Sequence, residues 1–387
     1  MKTNAIVSLA DEKYFDLLIE LIDSVKKNPE SKDTAICILD AGLNDNQREQ
    51  LKNQVDEVKK AEWDIEVSNL KIMGKEWLKS QVSRAFLPKY FPKYEKYFDL
   101  LIELIDSIKK KPESKDIAIC VLDAGLNDNQ SKQLKNKVDE VAKAEWDIEV
   151  SNLKVKGKEW LKSQVSRAFL PKYFPKYEKY LWIDCDAWVN DWKCVELYFK
   201  ACEKGKLGIT QTMGPGYKIM SKVKWLFGKL AIVKSQNFKH ALSSNIDISK
   251  SRKLAFAPHI NIGVFSLQKN SPCWEVWQKN LRETLKSGKI FGSEGLAINL
   301  SVYVDEVDTE FLPLSCNWIA SNLLPKYDSI QKTFVEPYLP NNKIGIMHLA
   351  AGIWKNNVDM RLDKNIKIDI YNLQDKKELK SLRFNNN

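Results

Sequence analysis

A direct repeat constrains this chain more than any other feature of its sequence. Residues 14–96 and 97–179 align without a gap at an offset of 83 (97 − 14), and only 10 of the 83 aligned positions differ. The string Glu-Lys-Tyr marks each junction, beginning at Glu12, Glu95 and Glu178. Two nearly identical copies indicate a tandem duplication, because the neighbours in a stacked repeat array normally diverge. Without one copy the chain would have 387 − 83 = 304 residues.

The composition predicts a globular protein that prefers acidic partners. Hydrophobic residues make up 44% of the chain and charged residues 29%, which is ordinary for a protein with a buried core. The formal net charge of +10 favours diphosphates, anionic lipids or nucleic acid as partners. The sequence contains no zinc-finger spacing, RNA-binding aromatic signature or arginine-rich arm. We therefore expect a phosphorylated small molecule as partner and no nucleic acid.

The cysteines and the apolar runs predict a cytoplasmic protein. The seven cysteines are odd in number and form no C-x-x-C pair, as expected of reduced thiols inside the cell. No run approaches the roughly 18 apolar residues of a membrane span. Residues 5–9 favour a strand, so we expect no signal peptide.

The segment 217–234 bears on contact with membranes. It spaces five lysines among aromatic and aliphatic side chains. This spacing predicts a basic amphipathic helix. Two interpretations stay open, an ordinary half-buried surface helix or peripheral contact with the anionic inner face of a membrane.

Hydrophobic periodicity predicts an α/β fold. A β-branched run at 4–10 precedes a helical pattern at 14–27. In the first copy a buried strand at 34–39 precedes a polar helical stretch at 44–60, and the second copy repeats both. Further strands are predicted at 180–183, 207–211, 260–267 and 345–349. The alternation predicts a Rossmann-like mixed, mainly parallel sheet with helices on both faces and ligands beyond the carboxyl ends of the strands.

Asp184 and Asp186 form an Asp-x-Asp motif that could bind a divalent metal. They follow the predicted strand 180–183 two positions apart, so in extended chain both carboxylates point to the same side. The strand would deliver them to the carboxyl edge of the sheet, where oxygen ligands suit Mn²⁺ or Mg²⁺ bound to a diphosphate. A bare Asp-x-Asp string is common, and the alternative is a strand-end turn with two solvated aspartates.

Five sequence blocks point to one protein family. They follow one another along the chain at 10–14, 166–189, 259–264, 293–299 and 347–355. In this order they resemble the uridine-binding loop, metal-binding strand, sugar-pocket strand, helix start and closing element of glycosyltransferase family 8. That family includes glycogenin and the bacterial lipopolysaccharide galactosyl- and glucosyltransferases. The resemblance covers nearly the whole chain except one copy of the repeat, and it implies a GT-A fold.

The resemblance implies a metal site and a diphosphate site. Asp184, Asp186 and His348 would hold the metal, and the imidazole would shift the preference from Mg²⁺ toward Mn²⁺. Gly352 and Lys355 in the closing element would bind the nucleotide. Lys355 would also act in catalysis by neutralising the charge that builds on the leaving nucleotide.

The remaining implied roles concern the nucleoside. Asp11 and Tyr14 would bind it, with the Tyr14 ring stacked on the base, although Tyr14 could equally be a core residue at a helix start. Arg167 would contact the donor. Its counterpart in the first copy, Arg84, has the same sequence neighbours and lacks only the proximity to Asp184.

Two further residues are implied in catalysis at the sugar. Asn261 and Glu294 would line the sugar pocket, and Glu294 would orient a hydroxyl or stabilise an oxocarbenium-like transition state. Two departures from the family pattern indicate a divergent branch. Three residues separate His348 from Gly352, and Gly295 stands where the family usually has glutamine.

The resemblance implies an enzyme that moves a hexose from a nucleotide-sugar, expected to be UDP-linked, to a saccharide or glycolipid acceptor. Two alternatives remain open at this point. A catalytically impaired nucleotide-sugar-binding or scaffold protein could result from the insertion of the extra copy. A nucleotidyltransferase shares the metal carboxylates, but residues 8–14 contain none of the glycines of its phosphate loop.

The duplication predicts the domain organisation. Residues 1–13 would form the first strand and nucleotide loop, followed by copies 14–96 and 97–179, and 180–387 would carry the metal strand, the sugar and acceptor half and the closing element. Only one copy can fill the slot between the first strand and the metal strand, because short right-handed crossovers fix the strand order. We expect the second copy to supply the helix 158–170 that enters the metal strand. The surplus, either copy 14–96 or an equivalent 83-residue window, would be a peripheral α/β lobe. Its open sheet edge predicts a homodimer or poor solubility.

Overall fold

The computed structural model divides the chain at the boundary between the two copies of the repeat. One compact unit is Met1–Lys96 and the other is Tyr97–Asn387. The first copy therefore lies in the unit that contains the first strand, and the second copy lies in the unit that contains Asp184. The structure describes residues 4–10, 12, 15–27, 34–60, 97–150, 161–215, 217, 222–228, 230–288, 290–350, 353–355, 358–359, 361 and 366–384.

The described part of the smaller unit, which ends at residue 60, is a parallel three-stranded sheet with two helices. Its elements are β1 (Asn4–Ala10), α1 (Phe15–Lys27), β2 (Thr34–Asp40), α2 (Asp45–Lys52) and β3 (Glu57–Lys60). The strand order is β1-β2-β3, with both pairings parallel. α1 buries one apolar stripe against the sheet, as its helical periodicity predicts.

The helix predicted at 44–60 is wrong in its second half. α2 ends at Lys52, and residues 57–60 form β3. Between them Asp56 pairs with Ile36 twice: its Oδ2 accepts from the Ile36 backbone N–H at 2.8 Å, and its own N–H donates to the Ile36 carbonyl at 2.9 Å. These bonds turn the chain back along β2, and sequence spacing does not reveal them because they join residues twenty apart.

The second copy repeats the local structure of the first. Its elements are α3 (Phe98–Lys109), a 3₁₀ helix (Pro112–Asp116), β4 (Cys120–Asp123), α4 (Asp128–Lys135) and β5 (Glu140–Lys143). α2 and α4 begin with the same capping box, built by Asn44 with Gln47 and by Asn127 with Gln130. Nearly identical sequence thus gives the same order of elements and the same helix start, although β4, with four residues, is shorter than β2, with seven. The copies also differ in what they pack against.

The rest of the larger unit is a mixed α/β structure, which confirms the predicted class. Its helices are α5 (Lys162–Ser166), α6 (Leu170–Tyr173), α7 (Lys193–Ala201), α8 (Gln236–Ser243), α9 (Ile248–Lys253), α10 (Cys273–Ser287) and α11 (Ser293–Tyr303), with 3₁₀ helices at Arg167–Phe169, Glu203–Gly205 and Leu314–Asn317. Its strands are β6 (Lys179–Ile183), β7 (Ala187–Val189), β8 (Leu207–Gln211), β9 (Lys222–Leu226), β10 (Leu230–Lys234), β11 (Ile260–Gln268), β12 (Thr309–Leu312), β13 (Trp318–Ile319), β14 (Lys326–Asp328), β15 (Thr333–Val335), β16 (Ile346–His348), β17 (Trp354–Lys355), β18 (Val358–Asp359), β19 (Ile368–Tyr371) and β20 (Lys377–Lys380).

Two small sheets position the Asp-x-Asp motif. One has the order β12-β8-β11-β6, with β12 parallel to β8 and the other two pairings antiparallel. The other has the order β13-β16-β7, with β13 parallel to β16 and β7 antiparallel to it. β6 is an edge strand of the first sheet and β7 is an edge strand of the second. The connection between β6 and β7 therefore lies where the two sheets meet.

An aromatic core supports the first of these sheets. Phe265 of β11 contacts Trp277 edge-to-face at 5.1 Å between ring centroids, and Trp274 stacks on Trp277 at 6.0 Å. Both tryptophans belong to α10 and are at most 4% exposed. Large buried rings contribute strongly to core stability, so β11 and its neighbour β6 rest on a rigid base.

The amphipathic helix predicted at 217–234 is wrong. Its described part forms an antiparallel hairpin in which β9 pairs with β10 and Lys222 lies opposite Lys234. Lysines and apolar residues alternate along 222–225, which is the two-residue period of a strand. The turn uses Phe227 and Gly228, both with positive φ, at 50° and 67°. Within the described residues, none of the helices combines the length and apolar character that crossing a membrane requires.

Candidate active site

Asp184, Asp186 and His348 come together at the junction of the two sheets. The two aspartates occupy the turn between β6 and β7. His348 ends β16, which runs antiparallel to β7 and places His348 opposite Ala187. One carboxylate oxygen from each aspartate and one imidazole nitrogen lie within 4.8 Å of one another.

Asn317 orients the His348 ring. The Nδ1 atom of His348 lies 2.8 Å from Oδ1 of Asn317, and its Nε2 atom lies 3.2 Å from Oδ1 of Asp186. Since an amide oxygen only accepts, the proton of a neutral ring belongs on Nδ1. Nε2 is then left with a lone pair directed at the carboxylates, which is the arrangement of a metal-binding histidine.

Asn261 joins the same network from β11. Its Oδ1 accepts from Asn317 Nδ2 at 3.3 Å and from the Gly263 backbone N–H at 2.9 Å. The Asp184 N–H in turn donates to the Gly263 carbonyl at 2.7 Å. The structure therefore places Asn261 beside the residues that support the metal ligands.

Arg167 and Trp182 hold one oxygen of Asp184. Oδ1 of Asp184 accepts from Trp182 Nε1 at 2.7 Å, and Arg167 Nη1 lies 3.3 Å from it. The Arg167 guanidinium also stacks 4.8 Å from the centre of the Trp182 ring. Arg167 is only 6% exposed, so this cation is fixed at the site.

Gly263 makes room for the three ligands. A Cβ at this position would lie 2.2 Å from His348 Cε1 and 3.0 Å from Asp184 Oδ2. Real Cβ atoms do not approach so closely, so any other residue would displace His348 or Asp184. The glycine at this position of β11 therefore has a steric reason.

Burial and neighbouring charges set the titration of the three groups. Burial raises the pKa of Asp184, against the opposing effect of the Arg167 cation. Burial also acts to raise the pKa of Asp186, but the His348 imidazole and the Arg361 guanidinium outweigh it and hold that pKa below its usual value. Burial acts to lower the pKa of His348, and the Asp186 carboxylate outweighs it, so the pKa is raised. The raised pKa of Asp184 reflects burial, which disfavours its charged form, whereas the shifts of Asp186 and His348 reflect their mutual attraction.

Glu294 lies near this cluster with an unused carboxylate oxygen. It is in the first turn of α11 and is 6% exposed. Among the described residues, its Oε2 has no hydrogen-bond partner. Burial raises the pKa of Glu294 to about 7, against the opposing effect of Arg167. A buried polar atom without a partner is unusual in a protein and suits a ligand hydroxyl.

Four predicted site residues are not placed at the site by the described part of the chain. Asp11, Tyr14 and Gly352 are among the residues that the structure does not describe. The backbone of Lys355 belongs to β17, opposite Val358. For these four positions the assigned roles remain predictions.

Sequence reasoning missed three residues of the site, Asn317, Trp182 and Arg361. Asn317 and Trp182 contact metal-ligand candidates directly, as described above. Nη1 of Arg361 lies 3.4 Å from Oδ2 of Asp186. Trp182 alone had a local signal, because it lies two positions before Asp184 in the same strand. Asn317 and Arg361 come from distant parts of the chain and have none.

The donor set fits a divalent cation. Two carboxylates and one imidazole are a combination that Mn²⁺ accepts, whereas Mg²⁺ prefers oxygen ligands alone. The supporting contacts agree, because Asn317 orients the imidazole while Trp182 and Arg361 each hold one carboxylate oxygen. The residues present are therefore able to bind a metal of this kind.

Comparisons with known proteins agree with these features in one segment. Residues 96–198 match the model of the family described as Glycosyl transferase family 8. This segment comprises the second copy and the Asp-x-Asp motif. No curated protein matches the chain.

Solved structures show looser likenesses. The chain is similar to the WbbM bifunctional glycosyltransferase in its apo form, at 16% identity and a TM-score of 0.42, covering 68% of this chain and 46% of that one. It therefore spans about half the length of WbbM. It is also similar to an active-site mutant of LgtC at 13% identity and a TM-score of 0.28. The similarity to the galactosyltransferase LgtC in complex with donor and acceptor sugar analogues is 12% in sequence identity, with a TM-score of 0.29. Both LgtC matches cover 90% of this chain and 87% of the LgtC chain.

Proposed function

Because residues 96–198 match the model of Glycosyl transferase family 8, we propose that this chain is a family 8-like glycosyltransferase with a GT-A-like fold. It would transfer a hexose from a nucleotide-sugar with the help of a divalent metal. The proposed donor is UDP-linked, the proposed metal is Mn²⁺, and the proposed acceptor is a saccharide or glycolipid. The observation that carries the proposal is the convergence of Asp184, Asp186 and His348 within 4.8 Å.

Each residue has a task in this reaction. Asp184, Asp186 and His348 would hold the metal, which supplies positive charge to a leaving diphosphate. Arg167, buried beside Asp184, would add a second fixed cation on the donor side. A preformed, partly dehydrated site makes these charges more effective than they would be in water.

Glu294 is the proposed group for the sugar. Its Oε2 has no partner among the described residues, and burial raises its pKa to about 7, which brings both protonation states within reach near neutral pH. Such a carboxyl can either accept a hydrogen bond from a sugar hydroxyl or donate one. Asn261 would position this side of the pocket through its bonds to Gly263 and Asn317.

Isothermal titration with UDP, with and without Mn²⁺, tests the proposal. We expect UDP to bind in the presence of Mn²⁺ and to lose most of its affinity when EDTA is added or when Asp186 is replaced by Asn. A scaffold protein that has lost the site would show no metal-dependent binding. Hydrolysis of a panel of UDP-sugars with Mn²⁺ then identifies the hexose, and absence of turnover with every donor would contradict the enzymatic proposal.

The hairpin β9–β10 is the proposed contact with a glycolipid-bearing membrane. Phe227 at its turn is 92% exposed and Val223 is 44% exposed, with Lys222 and Lys224 exposed beside them. An exposed ring among lysines suits an anionic lipid surface. Co-sedimentation with phosphatidylglycerol vesicles should be weakened by Phe227→Ser and by salt. Equal binding to purely phosphatidylcholine vesicles would contradict this contact.

A further inference from the structure

The two copies of the repeat bury the same helix differently. Glu103 of α3 is 5% exposed, whereas its counterpart Glu20 of α1, 83 positions earlier, is exposed. Position 20/103 is a glutamate in both copies, so the difference lies entirely in what surrounds it. Because burying an unpaired charge is costly, the Glu103 carboxylate is expected to have a partner of opposite charge.

Glu103 forms a two-pronged ion pair with Arg383 near the C-terminus. Nε of Arg383 lies 2.8 Å from Oε2 of Glu103, and Nη2 lies 2.7 Å from Oε1. Arg383 is itself 2% exposed. Both partners are buried and the geometry is bidentate, so the pair fixes the direction of the guanidinium.

The pair reaches the metal site through Arg361. Nη1 of Arg383 donates to the backbone carbonyl of Arg361 at 3.1 Å. Nη1 of Arg361 donates to Oδ2 of Asp186 at 3.4 Å, and the same guanidinium lies over the Tyr97 ring at 5.5 Å. The contacts thus run from Glu103 to Arg383, to Arg361 and to Asp186.

The two oxygens of Asp186 have separate neighbours. His348 Nε2 lies against Oδ1, and Arg361 lies against Oδ2. A carboxylate held at one oxygen presents the other in a fixed direction, which is how supporting groups tune a metal site.

We propose that Glu103 is a positioning residue for the metal site, acting through Arg383 and Arg361 to orient the Asp186 carboxylate. The inference rests on the proposed function, because it assigns Asp186 as a metal ligand. It also gives the second copy a task at the site that the first copy does not share, although the sequences of α1 and α3 are nearly the same.

The experiment is a titration of the full-length protein with Mn²⁺ alone, in which free Mn²⁺ is measured by electron paramagnetic resonance. Glu103→Gln removes the charge of the carboxylate at constant size, and Glu20→Gln makes the same change at the exposed counterpart. Loss of a supporting contact typically weakens metal binding by about 10–100-fold. We expect such an increase in the Kd of Mn²⁺ for Glu103→Gln and no change for Glu20→Gln.

Arg361→Gln separates positioning from simple charge. Removing a cation next to Asp186 would tighten Mn²⁺ binding if Arg361 acted through its charge alone. If Arg361 orients Asp186, the same substitution weakens binding. Tighter binding by Arg361→Gln, or unchanged binding by Glu103→Gln, overturns the proposal. Arg361 is 17% exposed, so this variant tests the proposal even if Glu103→Gln fails to fold.

The wild-type titration separates the two hypotheses. If the wild type binds no Mn²⁺, the proposed metal-dependent function is wrong. If the wild type binds Mn²⁺ and the variants bind equally well, the function stands and only the positioning role of Glu103 is wrong.

Discussion

Gly263 shows how a residue without a side chain can decide whether a site exists. His348, Asp184 and Asn261 all approach the position that a Cβ would occupy, the nearest atom at 2.2 Å. Neither the imidazole nor the carboxylate can retreat freely, because Asn317 holds the first and Trp182 with Arg167 holds the second. The glycine is therefore required by the packing of the site itself.

Gly263→Ala should weaken Mn²⁺ binding by about 10-fold or more, since the added methyl displaces a ligand. Overpacking should also lower the free energy of unfolding by about 1–3 kcal/mol. Mn²⁺ titration and urea unfolding measure the two effects. Gly295→Ala is the matched control, because a Cβ there meets nothing within 4 Å. Wild-type Mn²⁺ affinity in Gly263→Ala would contradict the packing argument.

Glu294 should make the stability of the metal-free protein depend on pH. Burial raises its pKa from an ordinary 4.5 to about 7, so between these values the folded state binds a proton that the unfolded state does not. The contribution of Glu294 to the free energy of unfolding is therefore most favourable below pH 4.5 and is lost as the pH rises to about 7. The loss amounts to at most about 3 kcal/mol.

Urea unfolding of the wild type and of Glu294→Gln across this range, in the presence of EDTA, measures the difference. The glutamine variant should lose less stability as the pH rises, and other titrating groups cancel in the comparison. Parallel stability profiles for the two proteins would rule out a raised pKa at Glu294.

At the scale of elements, α1 and α3 have nearly the same amphipathic sequence but bury different amounts of it. α1 buries one face, whereas α3 also buries a second face. In α3, Leu100 and Leu104 are 3% and 6% exposed, and in α1 their counterparts Leu17 and Leu21 are 59% and 40% exposed. α3 packs against β7, where Ser107 Oγ accepts from the Val189 N–H at 3.0 Å. Tertiary contact, and not helix propensity, distinguishes the two elements.

Leu100→Ala should therefore cost much more than Leu17→Ala. A buried leucine replaced by alanine loses about 2–5 kcal/mol, and a surface change is within about 0.5 kcal/mol. Urea unfolding of the two variants, monitored by circular dichroism, compares their free energies of unfolding. The substitution and the neighbouring sequence are the same in both variants. Equal losses would mean that Leu17 is as well packed as Leu100.

For the molecule as a whole, the sequence predicted those strands and site residues that depend on a local pattern or on the order of motifs. The strands at 4–10, 34–39, 180–183 and 207–211 are confirmed, because buried strands have a continuous apolar signature. The hairpin at 222–234 was missed, since lysines between apolar residues fit both a strand and a helix over a short run. Asn317 and Arg361 were missed for another reason. They reach the site through contacts between distant segments, and no spacing rule records such contacts.

The assignment of the surplus copy remains a prediction, and paired deletions test it. Removing 14–96 joins Lys13 to Tyr97 and leaves the link between β1 and the next helix unchanged. β1, which precedes both copies, pairs with β2 of the first copy. The corresponding strand of the second copy, β4, pairs with β5 alone among the described residues. β1 can therefore pair with β4 as it does with β2, and we expect a folded chain that retains Mn²⁺ binding.

Removing 97–179 instead gives a chain that differs from the first deletion at only 10 positions. Glu20, Leu17 and Leu21 would then take the places of Glu103, Leu100 and Leu104, because these residues are the same in both copies. Some docking contacts have no equivalent. Lys111 Nζ donates to the Asn190 carbonyl at 2.7 Å, and the first copy has Asn28 there. Ile117 and Ala142 pack against the cores of the larger unit, and the first copy has Thr34 and Lys59 at these positions. We expect this second chain to fold with lower stability and to bind Mn²⁺. In it Glu20→Gln should weaken Mn²⁺ binding, although the same substitution has no effect in the full-length protein. Failure of both deletion chains to fold would show that neither copy is surplus.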